Sequence, residues 1–380
     1  MKKVVVGIFR ALVILLYRIC SLFPEKNRIV CLSRQTNETP RDFALIHSYI
    51  EEHDPDWEVV ILAKTLDNPL KYLPHIFKQI RFIATSRMVV LDSYCIAVCL
   101  LGNRISAPVL QMWHALGNMK QFGYMTLDTP EGRSSKDAKI WHMHEGYDSV
   151  LVSSMSFADD LAAGFNVSPS ILYEAPLPRV DLYISPENKR REQKRAIQAI
   201  PELANGKKNI VYCPTFRRIP APNEKEAMQS LVDAIDFSKY NLIFKRHPVS
   251  KQRIEDSRVI QDYPQSVNPL YCADYAISDY STVIYEAGLL KIPLFLYAYD
   301  WDTYAQKRSL NIDIEHAVPT LFTDDPKLIA AAIRNDSFDV DAYEGFVLEN
   351  ISIPTDGNCT KRVVDHIFSM IGHREKHAGK

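Results

Sequence analysis

The chain has 380 residues, 47% hydrophobic and 24% charged, so it has enough apolar material for packed cores and is not mainly disordered. At this length two domains are the natural expectation. Forty-five basic residues against 46 acidic ones give a net charge of −1, which excludes a protein held to nucleic acid by a global positive field. The seven cysteines include no CxxC pair, so neither a zinc ribbon nor a disulfide framework is expected, and a reducing cytoplasm fits the composition.

Residues 1–24 read MKKVVVGIFRALVILLYRICSLFP and contain no acidic residue. On a helical projection Lys2, Lys3, Arg10 and Arg18 fall in one sector of about 160°, with Val, Ile, Leu and Phe filling the rest. Arg10 and Arg18 interrupt what would otherwise resemble a transmembrane span, at about 2.5–3.5 kcal/mol for each central Arg. The residues that follow, Leu22-Phe23-Pro24-Glu25, offer no small-residue cleavage site for a secretory signal. The expectation is an amphipathic helix lying on an anionic membrane surface; a signal anchor and a buried core helix are the alternatives.

Beyond Pro24, short apolar runs alternate with helical stretches. Strands are expected at Arg28–Leu32, Glu58–Ala63, Met88–Asp92, Val109–Trp113, Ser149–Val152 and Ile171–Tyr173, with helices at Phe43–His53 and Ser156–Gly164. Near-continuous apolar runs of this kind suit strands covered on both faces. The charged stretch Glu187–Lys194, which follows Pro176, Pro178 and Pro186, reads as a solvated helix in a linker. The rhythm then restarts with strands at Asn209–Cys213, Asn241–Lys245, Tyr275–Ser278 and Leu294–Tyr297 and helices at Lys225–Ile235 and Thr282–Leu290. A last helix is expected at Thr360–Ile371. The fold class is therefore α/β, with two doubly wound Rossmann-like domains and a cleft between them. The expected boundaries are a membrane-surface helix at 1–24, a first Rossmann-like domain at 25–185, a second at 205–355 and a helical tail at 356–380.

In open α/β sheets ligands bind beyond the carboxyl ends of the strands. Four polar clusters follow the expected strands: Gln111–Lys120, Cys213–Arg218, Lys245–Pro248 and Ser278–Thr282. Ser281 and Thr282 open a helix, where free N–H groups and hydroxyls suit phosphate, and Glu286 lies about one turn on, where a carboxylate can accept from ribose hydroxyls. Plain helix capping by Ser281, with a solvated Glu286, is the alternative. His247 precedes Pro248 at a strand end and can donate to phosphate, or can simply hold the Pro loop. Lys245 and Arg246 alternate faces, so one of the two is expected to face the cleft. His114 sits in a loop with Gly117 and Lys120, where an imidazole can take a proton from a hydroxyl; a core histidine satisfied by carbonyls is the other reading. His142 and His144 have no third ligand at suitable spacing, so no metal site is expected.

These clusters resemble the CDP-glycerol glycerophosphotransferase family of teichoic acid synthesis. The resemblance rests on QMWHALGNMK (Gln111–Lys120), YCPTFR (Tyr212–Arg217), KRHP (Lys245–Pro248) and ISDYST (Ile277–Thr282), with Tyr299, Asp300, Asp302, Tyr304 and Arg308 and then GNCTKR (Gly357–Arg362), in that order. It implies a GT-B fold, attachment to the cytoplasmic face of the bacterial membrane and CDP-glycerol as donor. It implies His114 as base, with His247 helping to hold the pyrophosphate. On this reading residues 25–185 form the acceptor domain and 205–355 the CDP-donor domain; Arg246, Ser281 and Thr282 join His247 in holding the donor phosphates, Glu286 contacts the ribose, Arg217 and Arg308 contact phosphate or acceptor, and Ser278, Asp279 and Lys120 are further substrate-binding candidates. The partners are CDP-glycerol, a lipid-linked saccharide acceptor and an anionic membrane surface, with no nucleic acid. No cofactor and no obligatory metal are expected, because basic side chains replace the metal. Ala115 stands where the family usually has Gly. Three alternatives share these features: a CDP-ribitol or other polyol-phosphate transferase, a GT-B glycosyltransferase using a sugar nucleotide, and a non-enzymatic membrane-bound binding protein. The chain lacks the large added N-terminal region of long polymerases, which favours priming or short extension.

Overall fold

The computed structural model describes residues 2–378 except 131, 218, 248, 249 and 308. Its chain divides into two compact units, one of Met1–Ala115, Gln121–Asp181 and Ile351–Lys380, the other of Leu116–Lys120 and Leu182–Asn350.

The first unit is built on six parallel strands: β1 (Lys26–Ser33), β2 (Glu58–Ala63), β3 (Ser86–Leu91), β4 (Val109–Gln111), β5 (Ser149–Val152) and β6 (Leu172–Glu174). Their spatial order is β2-β1-β3-β4-β5-β6, so the winding reverses between β1 and β3. Ile29, Val30, Cys31 and Leu32 of β1 are all buried, as a central strand covered on both faces requires. The covering helices include α1 (Lys2–Cys20), α2 (Arg41–His53), α3 (Pro69–Ala84), α4 (Ile96–Leu101), α5 (Ser135–Ile140) and α6 (Ala158–Phe165). Helix α3 starts with Pro69 in its first turn and is capped by Asn68, whose side chain accepts from the N–H groups of Leu70 and Lys71.

The second unit holds β7 (Lys208–Tyr212), β8 (Tyr240–Phe244), β9 (Val259–Ile260), β10 (Tyr275–Ser278), β11 (Leu294–Tyr297) and β12 (Phe322–Thr323). All are parallel, in the order β12-β11-β10-β7-β8-β9, which is the doubly wound Rossmann arrangement with its reversal between β7 and β10. The two-residue strands β9 and β12 lie at the sheet edges and carry no apolar run long enough to be read from sequence. The charged stretch expected as a solvated linker is the helix Pro186–Ala199, and it belongs to the second unit. Ala196 is buried, and the Asn188 amide donates to the Leu182 carbonyl at 2.6 Å and to the Tyr271 hydroxyl at 3.3 Å.

The chain then returns to the first unit. The helix Cys359–Ala378 packs beside α2. Its start is capped from a distance by Asp181, which accepts from the N–H groups of Cys359 (2.7 Å) and Thr360 (2.9 Å) and from the Thr360 hydroxyl.

Helix α1 corrects one detail of the sequence reading. Val6, Val13 and Tyr17 are buried, and the helix packs along α3 and α4. This protein-facing side falls within the sector that holds the cations. Lys2 therefore pairs with Asp137 at 2.6 Å, and the Arg10 guanidinium donates to the Leu100 carbonyl at 3.0 Å. Lys3 and Arg18 stay exposed. The outward face is apolar: Val4, Ile8, Leu12, Leu15, Ile19 and Leu22 are 48–84% exposed. Among the described residues no helix is long and apolar enough to cross a membrane. All seven cysteines are free thiols.

Candidate functional site

In the first unit the polar loops gather at the carboxyl ends of β1, β3 and β4. His114 follows β4 and is partly buried. Its Nδ1 donates to the Asp92 carbonyl at 2.9 Å. A carbonyl only accepts, so Nδ1 carries the proton and Nε2 of the neutral ring carries the lone pair. Burial pushes the His114 imidazole below its ordinary value, partly opposed by the Asp92 carbonyl; Arg179 lowers it further and Asp42 raises it. The ring is therefore neutral and basic at neutral pH.

The preceding residue, Trp113, has φ 63°, in the left-handed region. Such a position costs about 1–3 kcal/mol for a bulky residue and persists only when its surroundings enforce it. Here the Trp113 N–H donates to the side chain of Gln111 at 2.9 Å, and the Gln111 amide donates to the Ser93 carbonyl at 3.2 Å. The indole stacks on Phe122 and meets Phe165 edge-on. Ala115 is not in the left-handed region, so its methyl group sits on ordinary backbone. Asp42, at the start of α2, is 2% exposed and accepts from the Arg179 N–H and Nε at 2.8 Å each, and from Nη2. Asp92 and the Asp42–Arg179 pair did not stand out in sequence, and Gln111 did so only as the first residue of its cluster, because their roles depend on residues far along the chain.

In the second unit the loop after β8 carries Lys245, Arg246 and His247, and the segment after β10 carries Ser281, Thr282 and Glu286. The segment Leu116–Lys120 belongs to this unit: Lys120 bridges to Leu310, and the Asn311 amide donates to Asn118 at 2.9 Å. His247 is exposed and stacks on Phe216, with ring centroids 5.4 Å apart. Partial desolvation, followed by the ammonium groups of Lys245 and Lys120, pushes its imidazole down. Of Lys245 and Arg246, the sequence reading gave the donor phosphates to Arg246. Its charge acts on Cys213 and His247, whereas that of Arg246 acts on Asp262 and Tyr263. Glu286 also acts on Cys213, whose thiol burial pushes up to about 12. Ser281, Thr282 and Glu286 are partly exposed at the start of the helix Val283–Leu289. The Thr282 side chain makes no capping bond there, and the Ser281 hydroxyl is 3.4 Å from the Val283 N–H.

Three residues expected to touch substrate are instead internal. Ser278 is 0% exposed and donates to the Cys213 carbonyl at 2.8 Å. Asp279 is also 0% exposed; it accepts from the Thr215 N–H at 2.8 Å and pairs with Arg217 at 3.0 Å. Arg217 grips Asp300 in a fork (2.6 and 2.7 Å) and donates to the Thr215 carbonyl at 2.9 Å. The rings of Tyr280, Tyr299 and Tyr304 surround its guanidinium at 5.0–5.8 Å. Burial alone would lower Arg217, but the carboxylates of Asp279 and Asp300 outweigh it and leave it raised. The reason for the correction is electrostatic: a buried guanidinium needs carboxylates, and the two nearest are supplied by the loops after β10 and β11. Together these groups lock the loops after β7, β10 and β11 to one another. Arg308 lies outside the described residues. Among the described residues no three His, Cys, Asp or Glu side chains converge as a metal site.

Two Rossmann-like parallel sheets, each presenting polar loops at its carboxyl edge, define an α/β protein of the GT-B type. The chain belongs to the family described as CDP-Glycerol:Poly(glycerophosphate) glycerophosphotransferase, which it matches over residues 15–369. It is 28% identical to the teichoic acid ribitol-phosphate primase of Bacillus spizizenii over 98% of both chains. It is also 28% identical to the teichoic acid glycerol-phosphate primase of Bacillus subtilis, over 69% of this chain and 67% of that one. Among solved structures, the wall teichoic acid polymerase TagF shares the fold with a TM-score of 0.73, at 16% identity over 99% of each chain. A UDP-GlcNAc 2-epimerase of Methanocaldococcus jannaschii is similar at a TM-score of 0.56 and 11% identity, over 90% of this chain and 99% of that one.

Proposed function

We propose that this protein transfers a polyol phosphate from a CDP-polyol to a hydroxyl of a lipid-linked saccharide acceptor, releasing CMP, as a priming or short-extension step of teichoic acid synthesis. The observation that carries the reading is His114, neutral and with Nδ1 engaged, inside the motif through which the chain joins its family. The acceptor oxygen attacks the phosphorus bearing the polyol, its proton passes to His114 Nε2, and the bond from phosphorus to the CMP oxygen breaks. Positioning and charge neutralisation supply most of the catalysis in such a transfer. His247, Lys245, Arg246, Ser281 and Thr282 hold the donor phosphates, Glu286 the ribose, and Lys120 adds positive charge. Bound phosphate would raise His247 and convert it into a double donor. Arg217, Asp279 and Ser278 position these loops.

Side chains provide the positive charge, so a chelator leaves turnover intact; turnover lost with EDTA and restored by magnesium would refute that part. CDP-glycerol is the donor named in the family's description. CDP-ribitol is the second reading, favoured because the relative matched over 98% of both chains is a ribitol-phosphate primase. CMP release measured side by side with the two CDP-polyols and one lipid-linked disaccharide decides between them, and mass spectrometry of the product separates one added unit from a ladder. No CMP release with either donor overturns the proposal. The exposed apolar face of α1 supports peripheral attachment to a membrane, and the cytoplasmic face is the proposed side because the resemblance implies it.

A further inference from the structure

The first sheet has a second group of charges, at its winding reversal between β1 and β3. Arg34 follows β1 and Tyr94 follows β3, so both stand at the crevice where open α/β sheets take ligands. The Arg34 guanidinium lies 5.2 Å from the centre of the Tyr94 ring, and that of Arg133 lies 5.0 Å from the same ring. Among the described residues no carboxylate pairs with either guanidinium. Two cations brought to one ring without an anion repel each other, an arrangement that is relieved when an anion arrives. Both charges also reach the buried His144, whose imidazole is pushed down to about 3, by burial first and then by Arg133 and Arg34.

This ring is linked to the two features on which the proposed function rests. On one side, the Arg34 N–H donates to the Ser93 hydroxyl at 3.2 Å, and the side-chain amide of the next residue, Gln35, lies 3.4 Å from His114 Nδ1. On the other, the Tyr94 hydroxyl donates to the Trp141 carbonyl at 3.3 Å, and the Trp141 ring meets Phe9 of α1 edge-on. Arg133 leads into α5, whose Asp137 pairs with Lys2 at the start of α1. The two arginines thus lie between the proposed base and the helix with the exposed apolar face.

We infer that Arg34 and Arg133, held on the Tyr94 ring, bind the phosphate or diphosphate that joins the acceptor saccharide to its lipid. The inference rests on the proposed transferase reading and adds the acceptor's anchoring site to it. Guanidinium forks match the oxygens of phosphate, and a site beside α1 receives the lipid end while the saccharide hydroxyl extends toward His114.

The test uses the full chain, and farnesyl diphosphate serves as a soluble probe. Calorimetry should show binding of farnesyl diphosphate and not of farnesol. The double variant Arg34→Gln/Arg133→Gln should weaken this binding at least about tenfold, and Arg34→Lys/Arg133→Lys less, because the charge remains while the fork is lost. In the transfer assay the Gln variant should raise KM for the lipid-linked acceptor by a similar factor and leave KM for the CDP-polyol unchanged. Equal binding of farnesyl diphosphate by the wild type and the Gln variant overturns the inference. So does a Gln variant that loses binding to phosphatidylglycerol vesicles but keeps farnesyl diphosphate, since the pair would then serve lipid headgroups. Turnover with an unchanged acceptor KM in the Gln variant refutes this site and leaves the transferase reading standing. Charge-dependent probe binding without turnover on any CDP-polyol supports the site and removes the transferase reading.

Discussion

The base role proposed for His114 rests on where its other nitrogen is tied. With Nδ1–H on the Asp92 carbonyl, a proton can enter only at Nε2, and burial disfavours the cation that results. The pH dependence follows from that direction. A lowered imidazole stays deprotonated down to a pH below its ordinary 6.5, so the acid limb of kcat/KM should fall at a pH below 6.5. A limb centred above 6.5 would contradict this assignment. His114→Ala should remain folded and lose roughly 10²–10⁴-fold in turnover. Arg217 shows the opposite case. Asp300→Asn would leave a buried guanidinium short of one carboxylate, at a cost of about 3–5 kcal/mol in urea unfolding. That loss should appear before any change in donor KM, because none of these groups is exposed. Sequence marked both His114 and Arg217 as polar residues after strands, His114 as the base and Arg217 as a phosphate or acceptor contact. It could not tell which of them is framework, because the distinction lies in partners 22 residues away in one case and 83 in the other.

At the scale of elements, α1 and the loop after β4 repay attention. Removing residues 1–24 would unroof α3 and α4 by deleting Val6, Val13 and Tyr17, so loss of vesicle binding in such a truncation is ambiguous. Leu12→Glu with Leu15→Glu changes only the outward face. Each leucine, if it enters the acyl boundary, contributes about 1.5–3 kcal/mol, so the pair of substitutions should abolish co-sedimentation with anionic vesicles while the melting temperature holds. Unchanged co-sedimentation would rule out α1 as the attachment. Gly117 is the other pressure point. Its φ is +61°, and an added Cβ would fall 2.4 Å from the Tyr285 ring. Gly117→Ala should therefore destabilise the second unit by about 1–3 kcal/mol, read as an earlier denaturant midpoint. Most elements were legible from sequence because apolar runs and helical periodicity are local signals. Helix α3, with Pro74 inside it, the short helices α4 and α5, the helices Pro326–Arg334 and Val340–Asn350, and the two-residue strands β9 and β12 were among those that were not. A proline within a helix contradicts the local rule, and two residues carry no period.

For the whole chain, buried imidazoles make one contribution to acid stability. His144 is 6% exposed and pushed down to about 3; desolvation pushes His366 down to about 4. An imidazole lowered in the fold binds its proton more readily when unfolded. The stability it contributes is therefore complete above pH 6.5 and is lost as pH falls from 6.5 toward the folded value. His144 alone should remove roughly 4 kcal/mol by pH 3.5, and His144→Gln should flatten that part of the urea-measured stability curve. A curve of unchanged steepness would mean that His144 is not the group responsible.

Alternating apolar runs, each followed by polar residues, were enough to establish two parallel α/β sheets, the strand ends where chemistry collects, and the family, because all of these are written in consecutive residues. The tertiary structure alone decided which of those polar residues are available. It set Lys2 of α1 against Asp137 and Arg10 against the Leu100 carbonyl, buried Ser278, Asp279 and Arg217 as framework, brought residues 351–380 back to the first unit, and set Arg34 and Arg133 on one tyrosine with no carboxylate pairing either among the described residues. The physical reason is that burial and ion pairing depend on distance in space, and a charge has no way of declaring in sequence which distant carboxylate or carbonyl will meet it.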